Sequence, residues 1–252
     1  MSFNIALSGK GGTGKTSLAG LLIRYLIRHG KIPVMAIDAD ANANLNEVLG
    51  VKVDNTIGEI REGLLGRDGL QPGGMSKETY FEVMLHQVVV EHEGFDLLVM
   101  GRPEGPGCYC FVNNLIRKYS DELSDKYPYI VTDNEAGLEH LSRRTTQNTD
   151  LLLVISDPSQ RGIRTAKRVC DLVDELKLNI KRTALIVNRV EGELDPALSD
   201  LIEREGMKLG GWIPADKNIT EYDLRGEPIV NLPDDSQSVV AFERIQDSLE
   251  IS

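Results

Sequence analysis

Residues Phe3 to Ser17, FNIALSGKGGTGKTS, constrain this chain more than any other stretch. Phe3–Leu7 is a short apolar run of strand type. It leads into Gly9-Lys10-Gly11-Gly12-Thr13-Gly14-Lys15-Thr16, which fits G-x-x-x-x-G-K-[ST] at every defined position. Beyond it, Leu18, Leu21, Leu22, Tyr25 and Leu26 recur at helical spacing. Strand, glycine loop and helix start form the context in which such a loop holds phosphate. Glycines let successive N–H groups point into one concavity, with no Cβ in the way. The helix start adds unpaired N–H groups and a partial positive charge. Lys15 would reach the β- and γ-phosphates of a nucleoside triphosphate, the Thr16 hydroxyl would ligate Mg²⁺, and Ser17 continues the first turn.

The rest of the chain repeats the alternation begun here. Near-continuous apolar runs at Phe3–Leu7, Pro33–Ile37, Asp96–Met100, Tyr129–Thr132, Leu151–Ile155 and Ala184–Val187 read as strands, and Trp212-Ile213 as part of another. Runs apolar on both faces suit a buried parallel sheet. Helical patterns lie between them at 15–29, 111–126, 160–177 and 195–205, with further helices at Asn55–Leu65, Glu78–Val90 and Ser236–Leu249. The expectation is a single α/β domain over 1–252, a doubly wound and mostly parallel sheet with helices on both faces. Its ligand belongs at the carboxyl ends of the strands.

Charge and cysteine usage remove several function classes. A net charge of −11 argues against general nucleic-acid binding and against a polybasic membrane anchor. No apolar run approaches the ~20 residues of a spanning helix. The chain enters a strand within three residues, which leaves no room for a signal peptide in this sequence. Three cysteines, an odd number, do not make a disulfide framework. The reading is a cytoplasmic, reduced protein. The final helix shows Glu243, Asp247 and Glu250 against Arg244, so it is a packing helix rather than a membrane-surface one.

A second informative stretch follows the third strand: Gly101-Arg102-Pro103-Glu104-Gly105-Pro106-Gly107-Cys108-Tyr109-Cys110. Glycine and proline shape the backbone there, and two cysteines open a helix, where a thiolate is favoured. Cys-x-Cys supplies two soft ligands, whereas a structural Zn²⁺ takes four. Two chains meeting across a two-fold axis, each giving Cys108 and Cys110, would complete a set for Ni²⁺ or Zn²⁺. The alternative is a pair of small buried hydrophobes. Cys170 sits among apolar neighbours and reads as core, and His86 and His92 are assigned to no metal.

Lys10, giving Lys-Gly-Gly-Thr-Gly-Lys-Thr, has no job in the ordinary loop. With it the loop resembles the deviant P-loop of the family that includes the division-site protein MinD, the partition ATPases and the nitrogenase iron protein. The resemblance implies an ATP-dependent homodimer in which Lys10 crosses to the partner's nucleotide, as an arginine finger does. It also implies roles further along. Asp38, ending the second strand, would hold Mg²⁺ through water, and Asp40 would position the attacking water. Where the family has proline after this aspartate, the chain has Ala41. Asp133-Asn134-Glu135-Ala136-Gly137 matches the second switch, with Asp133 on Mg²⁺ and the Gly137 N–H on the γ-phosphate; a helix N-cap is the alternative for Asp133. Asn188, with Arg189 beside it, would recognise adenine, walled on the other side by Pro214 and Asp216.

GRPEGPGCYC between the deviant P-loop and Asp-x-x-Ala-Gly narrows the resemblance to the CooC-type maturation ATPases. That implies a metallochaperone that inserts nickel into carbon monoxide dehydrogenase or acetyl-CoA synthase. Two rivals stay open: a MinD- or ParA-like positioning ATPase, and an iron–sulfur redox ATPase similar to the nitrogenase iron protein. The second resemblance implies a further cysteine after the next strand, and this chain has none in Asp133–Gly137.

Overall fold

Strands β2 (Val34–Ala39) and β6 (Thr149–Ser156) are buried at every residue, which is what a parallel strand covered on both faces requires. They belong to a single sheet, and the computed structural model describes residues 2–59, 83–85, 87–101, 126–137 and 148–251. With β1 (Phe3–Gly9), β3 (Val90–His92), β4 (Phe95–Val99), β5 (Tyr129–Asn134), β7 (Ile180–Val190) and β8 (Leu209–Pro214), the order across the sheet is β3-β4-β2-β5-β1-β6-β7-β8. All neighbours run parallel except the β3–β4 pair.

Alternate residues divide the core between the two faces. On one face Ile5, Leu7, Val34, Ala36, Val131, Leu153 and Ile186 meet α1 (Lys15–Arg28), α2 (Leu45–Leu49) and α6 (Gln237–Leu249). On the other, Leu152, Val154, Leu185 and Val187 meet α3 (Gln160–Glu175) and α4 (Pro196–Arg204), while Met35, Ile37, Leu98 and Ile130 pack on Ile57, Leu85 and Val88. Helix α5 (Lys217–Arg225) follows β8 and buries none of its residues. No described helix is long and apolar enough to cross a membrane.

Several expectations shift. The helix read over Glu78–Val90 stops short: residues 83–85 and 87–88 are helical, but Val90 starts β3. Val88-Val89-Val90 is a β-branched run, and Gly94 at φ 85 turns the chain straight back into β4. His92 therefore lies on an edge strand, with its ring 4.7 Å from that of Phe95. Strand β2 begins at Val34 rather than Pro33, which has no N–H to give to a ladder. Helices α2 and α5 carry too few periodic apolar residues to be seen in advance. Of the helix read over Asn55–Leu65, residues 57–59 are helical; Thr56 caps it, its N–H on Glu59 Oε2 at 2.7 Å. The remainder, and the helix read at 111–126 up to residue 125, lie outside the described residues.

Candidate nucleotide site

At the carboxyl end of β1 the loop Gly9–Gly14 turns into α1 with most of its backbone carbonyls hydrogen-bonded within the chain. Gly137 N donates to Gly9 O at 3.1 Å, and Thr13 Oγ1 donates to Lys10 O at 2.8 Å. Arg189 Nη1 donates to Gly12 O at 2.9 Å, and Asn188 Nδ2 to Thr13 O at 2.8 Å. Thr13 N is turned onto Lys10 O at 3.4 Å. With these carbonyls held, Gly14 N and the first amides of α1 stand where an anion would meet them. Two glycines are required by contact. A Cβ on Gly9 would run into Ile155 O, and one on Gly14, at φ 90, into Asn188 Nδ2. Gly14 also caps α1 in the left-handed conformation with no side-chain cap, and the first turn has no acidic residue. The positive end of the helix is thus uncovered for an anion.

Lys15, 7% exposed, Thr16 and Ser17 open that helix, while the Lys10 side chain projects into solvent. Gly11, Gly12, Gly14, Lys15, Thr16, Ser17 and Asp40 line a cavity of about 1150 Å³. A second cavity, about 880 Å³, shares Gly14 and Ser17 with the first and is lined by Asn188, Arg189, Pro214 and Asp216. Arg189 borders both. The arrangement has room for a polyphosphate at one side and a base at the other.

Asp38 on β2 and Asp133 on β5 stand side by side in register, with Leu7 of β1 the other neighbour of Asp133. Both are buried, and burial is the main reason their carboxyl pKa values rise, to about 6 for Asp38 and about 7 for Asp133. Asp38 is partly compensated. Its Oδ1 accepts from Asp40 N at 3.0 Å and its Oδ2 from Leu45 N at 2.9 Å, so it shapes the loop after β2. The Thr16 hydroxyl and the Lys15 charge oppose the rise at Asp133, and the charges of Asp38 and Asp40 add to it. Asp133 Oδ1 is buried with no hydrogen-bond partner. A buried carboxylate oxygen left over beside a P-loop threonine fits Mg²⁺, which takes one or two carboxylates and completes its shell with phosphate and water. Among the described residues no group of three or more His, Cys, Asp and Glu is placed to hold a metal by itself.

Asp40 borders the Lys15 cavity. Its Oδ1 accepts from Asn42 N at 2.8 Å and Asn42 Nδ2 at 3.2 Å, and Ala43, at φ 40, donates to Asp40 O. These bonds hold the loop where Ala41 stands in place of a stiffening proline. Gly137 is next to the loop, but its N–H is on Gly9 O rather than directed at a γ-phosphate position. Asp133 lies inside β5, so the helix-cap alternative does not hold. Asp216 caps α5 through Asn218 N at 2.9 Å and gathers Ser236 Oγ, Ser238 N and Ser238 Oγ on Oδ2. Burial alone would raise its carboxyl, but these hydrogen bonds together bring it below the ordinary value. It ties the start of α5 to the start of α6. Sequence reasoning missed Ser236 and Ser238, and also Asn134, fully buried with Nδ2 on Leu7 O at 2.9 Å; polar residues held by distant partners leave no local signal. Cys108 and Cys110 lie outside the described residues. Cys170 packs against the α3–α4 core, and burial pushes its thiol up to about 11.

The family model for the CobQ/CobB/MinD/ParA nucleotide binding domain matches residues 5–229, a span running from β1 to the 3₁₀ turn at Ile229–Asn231. The chain belongs to this family. It is 45% identical over 248 residues to an ATP-binding protein of Methanocaldococcus jannaschii, covering 97% of each. It is 32% identical over 234 residues to the carbon monoxide dehydrogenase accessory protein CooC of Rhodospirillum rubrum, covering 88% of this chain and 87% of that one. Among solved structures, the septum site-determining protein MinD complexed with Mg-ADP from Pyrococcus horikoshii superposes with a TM-score of 0.73 at 23% identity, over 100% of this chain and 97% of the other. That last likeness shows the fold alone. The fold places the loop of this nucleotide-binding domain at the central strand, where the chain reverses its direction of travel across the sheet.

Proposed function

We propose that this chain is a Mg²⁺-dependent ATPase of the CooC type, a homodimeric metallochaperone that inserts nickel into carbon monoxide dehydrogenase or acetyl-CoA synthase. The ATPase part rests on the preformed phosphate loop, the Thr16–Asp133 contact and the ATP-binding relative. Lys15 binds the β- and γ-phosphates, Asp40 orients the attacking water, and Lys10 stabilises the partner's phosphates. The nickel part is carried by one observation: the CooC relative matches nearly nine-tenths of this chain, and the chain contains Cys108-x-Cys110.

ATP closes the dimer and assembles a four-thiolate site from Cys108 and Cys110 of each copy; hydrolysis opens it and releases the ion. Nucleotide and metal are then coupled ligands, each altering the other's affinity. The test is Ni²⁺ and Zn²⁺ stoichiometry of the anaerobically purified protein, with and without ATP, in wild type and in Cys108→Ser/Cys110→Ser. One metal ion per dimer that depends on both cysteines is expected. Undiminished metal in the double variant would overturn the thiolate site.

A further inference from the structure

Arg189 has three unusual features together. Its backbone is left-handed, at φ 62, where a non-glycine residue is uncommon. It sits at a register shift, because Asn188 pairs with Ile213 and Val190 with Pro214, leaving Arg189 as the extra residue of a bulge. Its guanidinium reaches back over the phosphate loop to Gly12 O, at 2.9 Å. The neighbouring Asn188 supports the distortion by accepting Arg189 N on Oδ1 at 3.0 Å, and its Nδ2 holds Thr13 O. Two consecutive side chains of β7 therefore bond two consecutive carbonyls of the loop.

A peptide plane turned with its carbonyl to one side has its neighbouring N–H groups biased to the other. Holding Gly12 O and Thr13 O from the β7 side fixes the two peptide planes that carry Thr13 N and Gly14 N. Thr13 N closes the turn onto Lys10 O at 3.4 Å, and Gly14 N is the one oriented for phosphate before it arrives. Strain kept at a residue beside a binding loop is a sign of function rather than of packing. The Asn188 amide has two of its four hydrogen-bonding positions committed to this work, one N–H and one lone pair of the oxygen.

We propose that Asn188 and Arg189 are positioning residues for the polyphosphate, stapling the loop into its anion-binding shape through the bulge in β7. This rests on the nucleotide-binding reading above and assigns the pair a task separate from reading adenine. Arg189 lines both the Lys15 cavity and the Asn188–Pro214 cavity, so ligands with and without a base distinguish the two tasks.

The experiment uses the full chain and measures displacement of a fluorescent ATP analogue by Mg-ATP and by Mg-tripolyphosphate. Wild type is compared with Arg189→Gly, which relieves the left-handed backbone, and with Arg189→Lys, which keeps a donor. In Arg189→Gly both ligands should weaken by the same factor, about tenfold, as expected for losing a hydrogen bond from a charged group. Its melting temperature should be unchanged or higher, since glycine is at ease at this φ. Arg189→Lys should recover part of the affinity for both ligands. Weaker ATP binding with unchanged tripolyphosphate binding would make Arg189 a base contact and overturn the positioning role. So would unchanged binding of both. If wild type bound neither ligand, the nucleotide-binding reading itself would fall, and the proposal with it.

Discussion

Two buried aspartates in one sheet are treated in opposite ways. Asp150 lies at the amino end of β6, where Asn4 N donates to its Oδ2 at 2.8 Å and Lys181 Nζ to its Oδ1 at 2.6 Å. Each oxygen has a partner from this chain. Asp133 lies at the carboxyl end of β5, with Oδ1 buried and unpartnered, Asp38 alongside and a pKa raised to about 7. The chain completes one carboxylate and leaves the other incomplete. Parallel strands gather their loops at the carboxyl ends, and a group left unsatisfied there has a ligand to wait for. The amino-end aspartate holds strands together.

The largest effect expected at the ligand end comes from Lys15→Ala, which should abolish Mg-ATP binding in a titration. Measurable wild-type affinity in that variant would remove the phosphate role. Next is Lys10→Ala. Its exposed side chain should leave binding intact, while hydrolysis falls on the order of a thousandfold, as when an arginine finger is lost. Light scattering showing the same ATP-induced dimer as wild type would contradict action across the interface.

Asp133 gives a pH signature. Its folded pKa of about 7 exceeds the ordinary 3.8, so the folded chain prefers the protonated acid. The stability gained in this way by the nucleotide-free protein is complete below about 4 and is lost as pH rises through 7. Mg²⁺ needs the ionised form, so its affinity should drop about tenfold per unit as pH falls below 7. Asp133→Asn should remove the change centred near 7 from both profiles, leaving in the stability profile the part that Asp38 contributes near 6, read by thermal melts and Mg²⁺ titration at several pH values. Profiles unchanged by the substitution would sever the link to this carboxylate. The smallest effect, and the control for the comparison, is Asp150→Ala. It should lose about 1–3 kcal/mol of stability by stranding the Asn4 N–H, with ATP affinity unchanged. A shift in affinity there would erase the distinction between the two ends.

Much of the architecture was legible because parallel strands buried on both faces announce themselves as apolar runs, and β1, β2, β5 and β6 are such runs. The P-loop was legible because glycine, lysine and threonine are needed at fixed local spacing. The antiparallel edge β3 was masked by helical periodicity running into Val88-Val89-Val90. The hydrogen bonds of Asp216 to Ser236 and Ser238 were invisible because their partners lie about twenty residues away.

Local chemistry alone determined that a strand, a glycine loop and a helix start would present N–H groups to phosphate, since each requirement acts within a few residues. Only the tertiary structure decided what holds that loop open: Gly137 from the end of β5 and Asn188 and Arg189 from β7 bond its carbonyls. It also decided that Asp133 would be left with a bare oxygen. Burial and partnership are properties of neighbours, and these neighbours are brought together only when the sheet order is set.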